Sequence, residues 1–80
     1  MIRVLYFARL RETFGSEGES IEAHPATVGE LTELLNARGE PWAQALAGRV
    51  LFAVNQEMAR PDTPLQDGDE VGLFPPVTGG

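Results

Sequence analysis

The sequence predicts an α+β domain in which a mixed sheet of about five strands packs on one main helix, with a short second helix beside it. Three observations predict it. Short runs rich in β-branched and aromatic residues stand near both ends and in the middle of the chain. One longer amphipathic segment lies between them, and clusters of Gly, Pro, Asn and Asp punctuate the runs. A chain of 80 residues forms one domain with a radius of gyration of about 12 Å and buries only about 60% of its unfolded surface. That core holds a helix against a sheet and leaves little room for an enclosed catalytic cleft.

The elements follow in order. "IRVLYFA", residues 2–8, reads as a first strand, and "RLRETF", residues 9–14, as a helical turn ended by Gly15. "SIEAH", residues 20–24, is a short second strand, hairpin-paired with the first. The main helix opens on "TVGE". In this capping box the Thr27 hydroxyl accepts from the Glu30 amide while the Glu30 side chain reaches back to the Thr27 amide. Val28, Leu31, Leu34 and Leu35 then share one stripe at helical spacing and belong to the core, and Gly39 is placed to end the helix. Pro41 restarts a shorter helix, "PWAQALAG", with Trp42, Ala45 and Leu46 on its inner side.

"VLFAV", residues 50–54, is a continuous apolar run suited to an interior strand, and Asn55 and Gln56 make a tight turn into a short edge strand through Met58. "RPDTPLQDGDE" is turn chemistry, and its Asp67, Asp69 and Glu70 lack the spacing of a calcium loop. "EVGLF", residues 70–74, is the last strand. Pro75 and Pro76 stop it because proline brings no amide hydrogen to the ladder. Residues 1–74 thus read as the folded domain and 75–80 as a flexible tail ending in Gly79 and Gly80, about 20 Å long at full stretch.

Strand, strand, helix, strand, short strand, strand is the order of a ubiquitin-like β-grasp. Strand parity assigns the faces: with Ile2, Val4 and Tyr6 toward the helix, Arg3, Leu5 and Phe7 point outward, and with Val71 and Leu73 inward, Phe74 points outward. Phe7 and Phe74 then share an outer face.

Charge and composition narrow the function. The net charge is −6 and all six basic residues are arginines, so no basic stripe exists to neutralise phosphates, and nucleic acid and anionic membrane are excluded as expected partners. A partner with a basic cleft complements the surface. Cysteine is absent, which removes disulfides, thiol nucleophiles and zinc-thiolate sites. One histidine, His24, precedes Pro25 in a predicted loop, so neither a metal site nor a Ser-His-Asp triad can be assembled around it. No signal peptide and no apolar run near the ~20 residues needed to cross a bilayer is present, and the expected location is the cytoplasm.

The start "MIRVLYFARLRE", the middle "VLFAVNQE" and above all the end "LQDGDEVGLFPPVTGG" resemble the small, sulfur-carrier subunit of molybdopterin synthase, the MoaD family of ubiquitin-like sulfur carriers. The likeness spans essentially the whole chain. It implies that the Gly80 carboxylate is adenylated by an ATP-dependent activating enzyme, converted to a thiocarboxylate, and inserted into the large catalytic subunit of the synthase. There the sulfur passes to cyclic pyranopterin monophosphate. The resemblance further implies insertion of the tail Pro75, Pro76, Val77, Thr78 and Gly79, docking through Phe7, Met58 and Phe74, and a heterotetramer of two small and two large subunits. It implies no bound cofactor and no self-contained active site, ATP being used by the activating enzyme. The tail composition suits such a role: Gly79 and Gly80 let backbone pass where a Cβ would clash, and the two prolines hold the base extended. A thiamine-pathway sulfur carrier, a ubiquitin-like protein modifier and a non-covalent interaction module stand as alternative readings.

Overall fold

The computed structural model describes residues 1–47 and 50–75. In chain order they form β1 (Ile2–Tyr6), α1 (Arg9–Phe14), β2 (Gly18–Ile21), α2 (Val28–Asn36), α3 (Trp42–Ala47), β3 (Leu51–Val54), β4 (Glu57–Ala59) and β5 (Glu70–Phe74). The five strands make one sheet in the order β2-β1-β5-β3-β4. β5 lies in the middle, parallel to β1 and antiparallel to β3, and β2 and β4 are antiparallel edges. This is the expected mixed sheet and β-grasp order, with the predicted helical turn over residues 9–14 present as α1 and ended by Gly15.

The alternation of β1 decides the layers. Ile2, Val4 and Tyr6 are buried with Val71 and Leu73 of β5 on one face, against Val28, Leu31 and Leu35 of α2. The α2 stripe explains the fit, because these three residues stay within about 60° of arc at 100° per residue. Leu34, expected in the core, is instead 43% exposed. It lies about 100° round the helix from Leu35, beyond the edge of the buried stripe. Two further residues complete the core: Leu10 of α1, in the predicted helical turn, and Leu65 of the β4–β5 loop, outside the predicted regular elements.

Local chemistry sets the ends of the elements. Thr27 caps α2, its hydroxyl accepting from the Glu30 amide at 3.2 Å. The Glu30 carboxylate reaches one residue further than expected and accepts from the Ala26 amide. The chain leaves α2 through Ala37, and Gly39 takes a positive φ of 87° that a side chain would resist. Asn55 (φ 50°) and Gln56 (φ 71°) make the tight turn between β3 and β4. The Asn55 side chain binds that turn to the start of β5, donating to Asp69 and accepting from the Glu70 amide, both at 3.1 Å.

Three strand limits differ from the sequence expectation. β1 ends at Tyr6 rather than residue 8, because Ala8 turns the chain sharply at φ 53°, ψ −128°. β2 runs from Gly18 to Ile21 rather than 20 to 24, since pairing of Ile2 with Ile21 and Leu5 with Gly18 fixes its register. β3 begins at Leu51, one residue late, and although interior to the sheet it is only half-buried along its length. Among the described residues, no helix is long and apolar enough to cross a membrane.

Candidate docking face and its support

The face of the sheet away from α2 carries the sequence-predicted docking residues. Cross-strand register places Leu5, Gly72, Ala53 and Met58 in one row from β1 to β4, and Phe74 beside Leu51 in the next. Side chains at directly opposed positions point the same way, so these residues share the outer surface. Phe7 joins the second row. One residue past β1, its amide still donates to the Leu73 carbonyl at 3.0 Å.

Phe7 and Phe74 pack edge to face, with ring centroids 6.3 Å apart and planes at 75°. Phe7 remains 44% exposed and Met58 67%. Over these rows lies a shallow notch of about 300 Å³, lined by the apolar Leu5, Phe7, Ala53 and Phe74, by Gly72, and by Gln56 and Glu70. Large exposed apolar side chains gathered around a concavity are the usual signature of an interaction site. The structure therefore brings Phe7 and Phe74 into contact and places Met58 on the same face, at the far end of the Leu5 row.

Gly72 was not singled out from the sequence. A Cβ built on it would stand 2.9 Å from Cε2 of Phe7, closer than real Cβ contacts come. The available signal was a glycine inside a strand pattern, which marks close approach of another group. Pro75 follows Phe74 at the edge of this face, half-buried. The predicted tail positions Pro76, Val77, Thr78, Gly79 and Gly80 lie outside the described residues.

The opposite face of β1 is held by a polar and aromatic cluster. The Tyr6 hydroxyl donates to Glu19 Oε2 at 2.6 Å. Arg38, just past α2, grips the same carboxylate with both terminal nitrogens, at 2.8 and 2.7 Å. Its guanidinium lies 5.0 Å above the Trp42 ring, which stacks on Phe14 at 5.3 Å, and Phe14 meets Tyr6 edge-on at 4.6 Å. One carboxylate on β2 thus ties β1, the end of α2 and α3 together. Burial, reinforced by the hydrogen bond to Glu19, pushes the Tyr6 phenol up to about 12. The Arg38 hydrogen bonds hold the Glu19 carboxyl below its ordinary value.

Among the described residues, no other arrangement suggests chemistry. His24 is exposed, and no group of three or more His, Asp or Glu among the described residues could hold a metal ion. Asp69 is occupied as a turn acceptor, taking hydrogen bonds from Asn55 and from the Gln66 amide.

Comparison with known proteins shows the family and the fold. The profile of the ThiS family matches residues 4–80. The molybdopterin synthase sulfur carrier subunit of Escherichia coli is 48% identical over 81 aligned positions, covering all of both chains. In a complex of subunits 1 and 2 of the molybdopterin-converting factor from Helicobacter pylori, one chain superposes with a TM-score of 0.69 at 29% identity, over 99% of this chain and 97% of that one. The small archaeal modifier protein 1 of Haloferax volcanii superposes with a TM-score of 0.77 at 28% identity, over 95% and 97%. By its full-length match and its β-grasp architecture, the chain belongs to the ThiS family, and within it to the molybdopterin synthase sulfur carrier subunits.

Proposed function

We propose that this chain carries sulfur on the carboxyl of Gly80 for molybdenum cofactor biosynthesis, and that it delivers this sulfur while docked on a large catalytic subunit through Phe7, Met58 and Phe74. The observation that carries the reading is the full-length likeness to a sulfur carrier subunit, joined to an apolar face at the point where the chain leaves β5.

The chemistry follows from the carboxylate. At neutral pH a terminal carboxylate, with a pKa of about 3.3–3.7, is an anion and a poor electrophile. An activating enzyme joins it to the adenylyl group of ATP with release of pyrophosphate. A sulfur donor then displaces AMP, leaving a thiocarboxylate. In the large subunit the thiocarboxylate sulfur bonds to cyclic pyranopterin monophosphate, and water then cleaves the acyl–sulfur bond, so the sulfur stays on the pterin and the carrier leaves as a carboxylate. A dithiolene holds two sulfurs, so each product consumes two charged carriers, in keeping with a heterotetramer of two small and two large subunits. The carrier supplies position and a leaving sulfur, while the catalytic side chains and ATP belong to its partners. Pro75, Pro76, Val77, Thr78 and Gly79 are the segment that leads Gly80 into both enzyme sites.

The likeness to an archaeal modifier favours a second reading, attachment of Gly80 to an amine of another protein. The chain has no lysine, so a side-chain amine acceptor must come from a different protein.

Intact mass after incubation with activating enzyme, ATP and a sulfur donor tests the primary reading. The expected change is one oxygen replaced by one sulfur, located at Gly80 by peptide mapping. An unchanged mass contradicts the carrier reading, and a branched peptide on a second protein transfers support to the modifier reading.

A further inference from the structure

We infer that Gly72 is a positioning residue for partner docking: its bare backbone seats the Phe7 ring across β5 and so holds Phe7 against Phe74 at the side of the notch that both rings line. The inference rests on the docking reading above and deepens it.

The backbone at residue 72 does not itself require glycine. Gly72 lies in mid-strand, paired with Leu5 on one side and Ala53 on the other, and it is not among the positive-φ glycines of the described residues, which are Gly15, Gly39 and Gly68. Glycine in a strand interior is unfavourable, since it loses the most chain entropy and offers no side chain to pack. Some other group must account for it. A Cβ at this position meets Cε2 and Cδ2 of Phe7 at 2.9 and 3.6 Å, and next only the Ala53 carbonyl oxygen at 3.9 Å. The obstruction is therefore one ring, held by a backbone that cannot follow it: the Phe7 amide is bonded to Leu73, and Ala8 turns the chain immediately afterwards.

A side chain at 72 would displace the ring from β5 and remove its edge-to-face contact with Phe74. The notch beside the ring, lined by Leu5, Phe7, Ala53 and Phe74, fits a single apolar side chain projecting from the large subunit, the kind of central anchor on which binding energy concentrates. Gly72 acts here through Phe7 and needs no contact with the partner.

The test is a double-mutant cycle on affinity for the large subunit, measured by calorimetry with the full-length chain, alongside denaturant unfolding of each variant. Gly72→Val should weaken binding by about tenfold and Gly72→Ala by less, with unfolding midpoints unchanged or raised, because valine suits a strand and only a movable ring is disturbed. In a Phe7→Ala background, Gly72→Val should add less than about twofold, since the ring it displaces is gone. Normal binding by Gly72→Val overturns the inference, as does an equal loss with and without the Phe7 ring. A lowered midpoint assigns the glycine to the fold and overturns it as well. If Phe7→Ala itself binds normally, the docking reading fails. If Phe7→Ala binds weakly while Gly72→Val binds normally, only the role given to Gly72 fails.

Discussion

The Phe7 ring stands edge-on to the Phe74 ring, their centroids 6.3 Å apart, one from the end of β1 and the other from the end of the parallel strand β5. The pair joins the fold to the tail, because Phe74 is the last residue of the central strand and Pro75 begins the exit. Both side chains point away from the core, so charging them should damage recognition and spare folding. Phe74→Asp or Phe7→Asp should cost about 2 kcal/mol or more in binding to the large subunit, about thirtyfold in Kd, since an unpaired carboxylate would be buried in an apolar contact. Calorimetry of the variants, with circular dichroism to verify folding, checks this. Wild-type affinity would remove the pair from the interface.

Tyr6 makes the fold sensitive to base. Burial and then the hydrogen bond to Glu19 raise its pKa from 10.0 to about 12. For a raised pKa the stabilising contribution is complete below pH 10 and is lost as the pH climbs toward 12. Tyr6 is the single tyrosine of the chain, so tyrosinate absorbance reports it alone. Absorbance and loss of helical dichroism should rise together, well above the pH at which a free phenol ionises. Ionisation near pH 10 with the fold intact would contradict the buried, Glu19-bound hydroxyl.

Glu19 gives the acid limb. Its carboxyl is held low, chiefly by the Arg38 hydrogen bonds, so its contribution is present above the ordinary 4.5 and disappears as the pH falls through the lowered value. Glu19→Gln should lower stability by about 1–2 kcal/mol at neutral pH, a modest figure because the pair is partly open to solvent. It should also flatten the decline of the urea midpoint into acid. An unchanged acid limb would show that Glu19 is not the group responsible.

Ala8 occupies φ 53°, ψ −128°, a conformation that favours glycine. The strain sits next to Phe7 and is imposed by the turn from β1 into α1. Ala8→Gly should raise stability by about 1 kcal/mol, the relief of strain exceeding the added chain entropy of the unfolded state. A lower unfolding midpoint would show that the alanine is comfortable there.

Much of this architecture was legible in the sequence because it follows from local rules. The Thr27–Glu30 cap and the Val28–Leu31–Leu35 stripe place α2, and period-two parity places Ile2, Val4, Tyr6, Val71 and Leu73 inside. The Asn55–Gln56 turn was legible for the same reason, as two residues able to sit at positive φ between strands. What escaped depends on contacts distant in sequence. The limits of β2 come from pairing with β1, and the burial of Leu65 comes from a loop that folds back over the core. Leu34 looked like Leu31 and Leu35 by spacing, yet only the width of the buried stripe decides its exposure. Gly72 and its relation to Phe7 join residues 65 positions apart in the sequence, which only the parallel pairing of β1 and β5 reveals.

The central claim, that Gly80 is the working end of the chain, is tested most directly by molybdopterin formation in the reconstituted synthase with Gly80 removed or with one residue added after it. Either change moves the reacting carboxyl by about 3.5 Å, well beyond the ~1 Å misplacement that already slows positioned chemistry strongly. The account predicts that conversion falls to background while the unfolding midpoint stays at the wild-type value, because chain ends tolerate such changes. Conversion at the normal rate by the truncated chain would contradict the account.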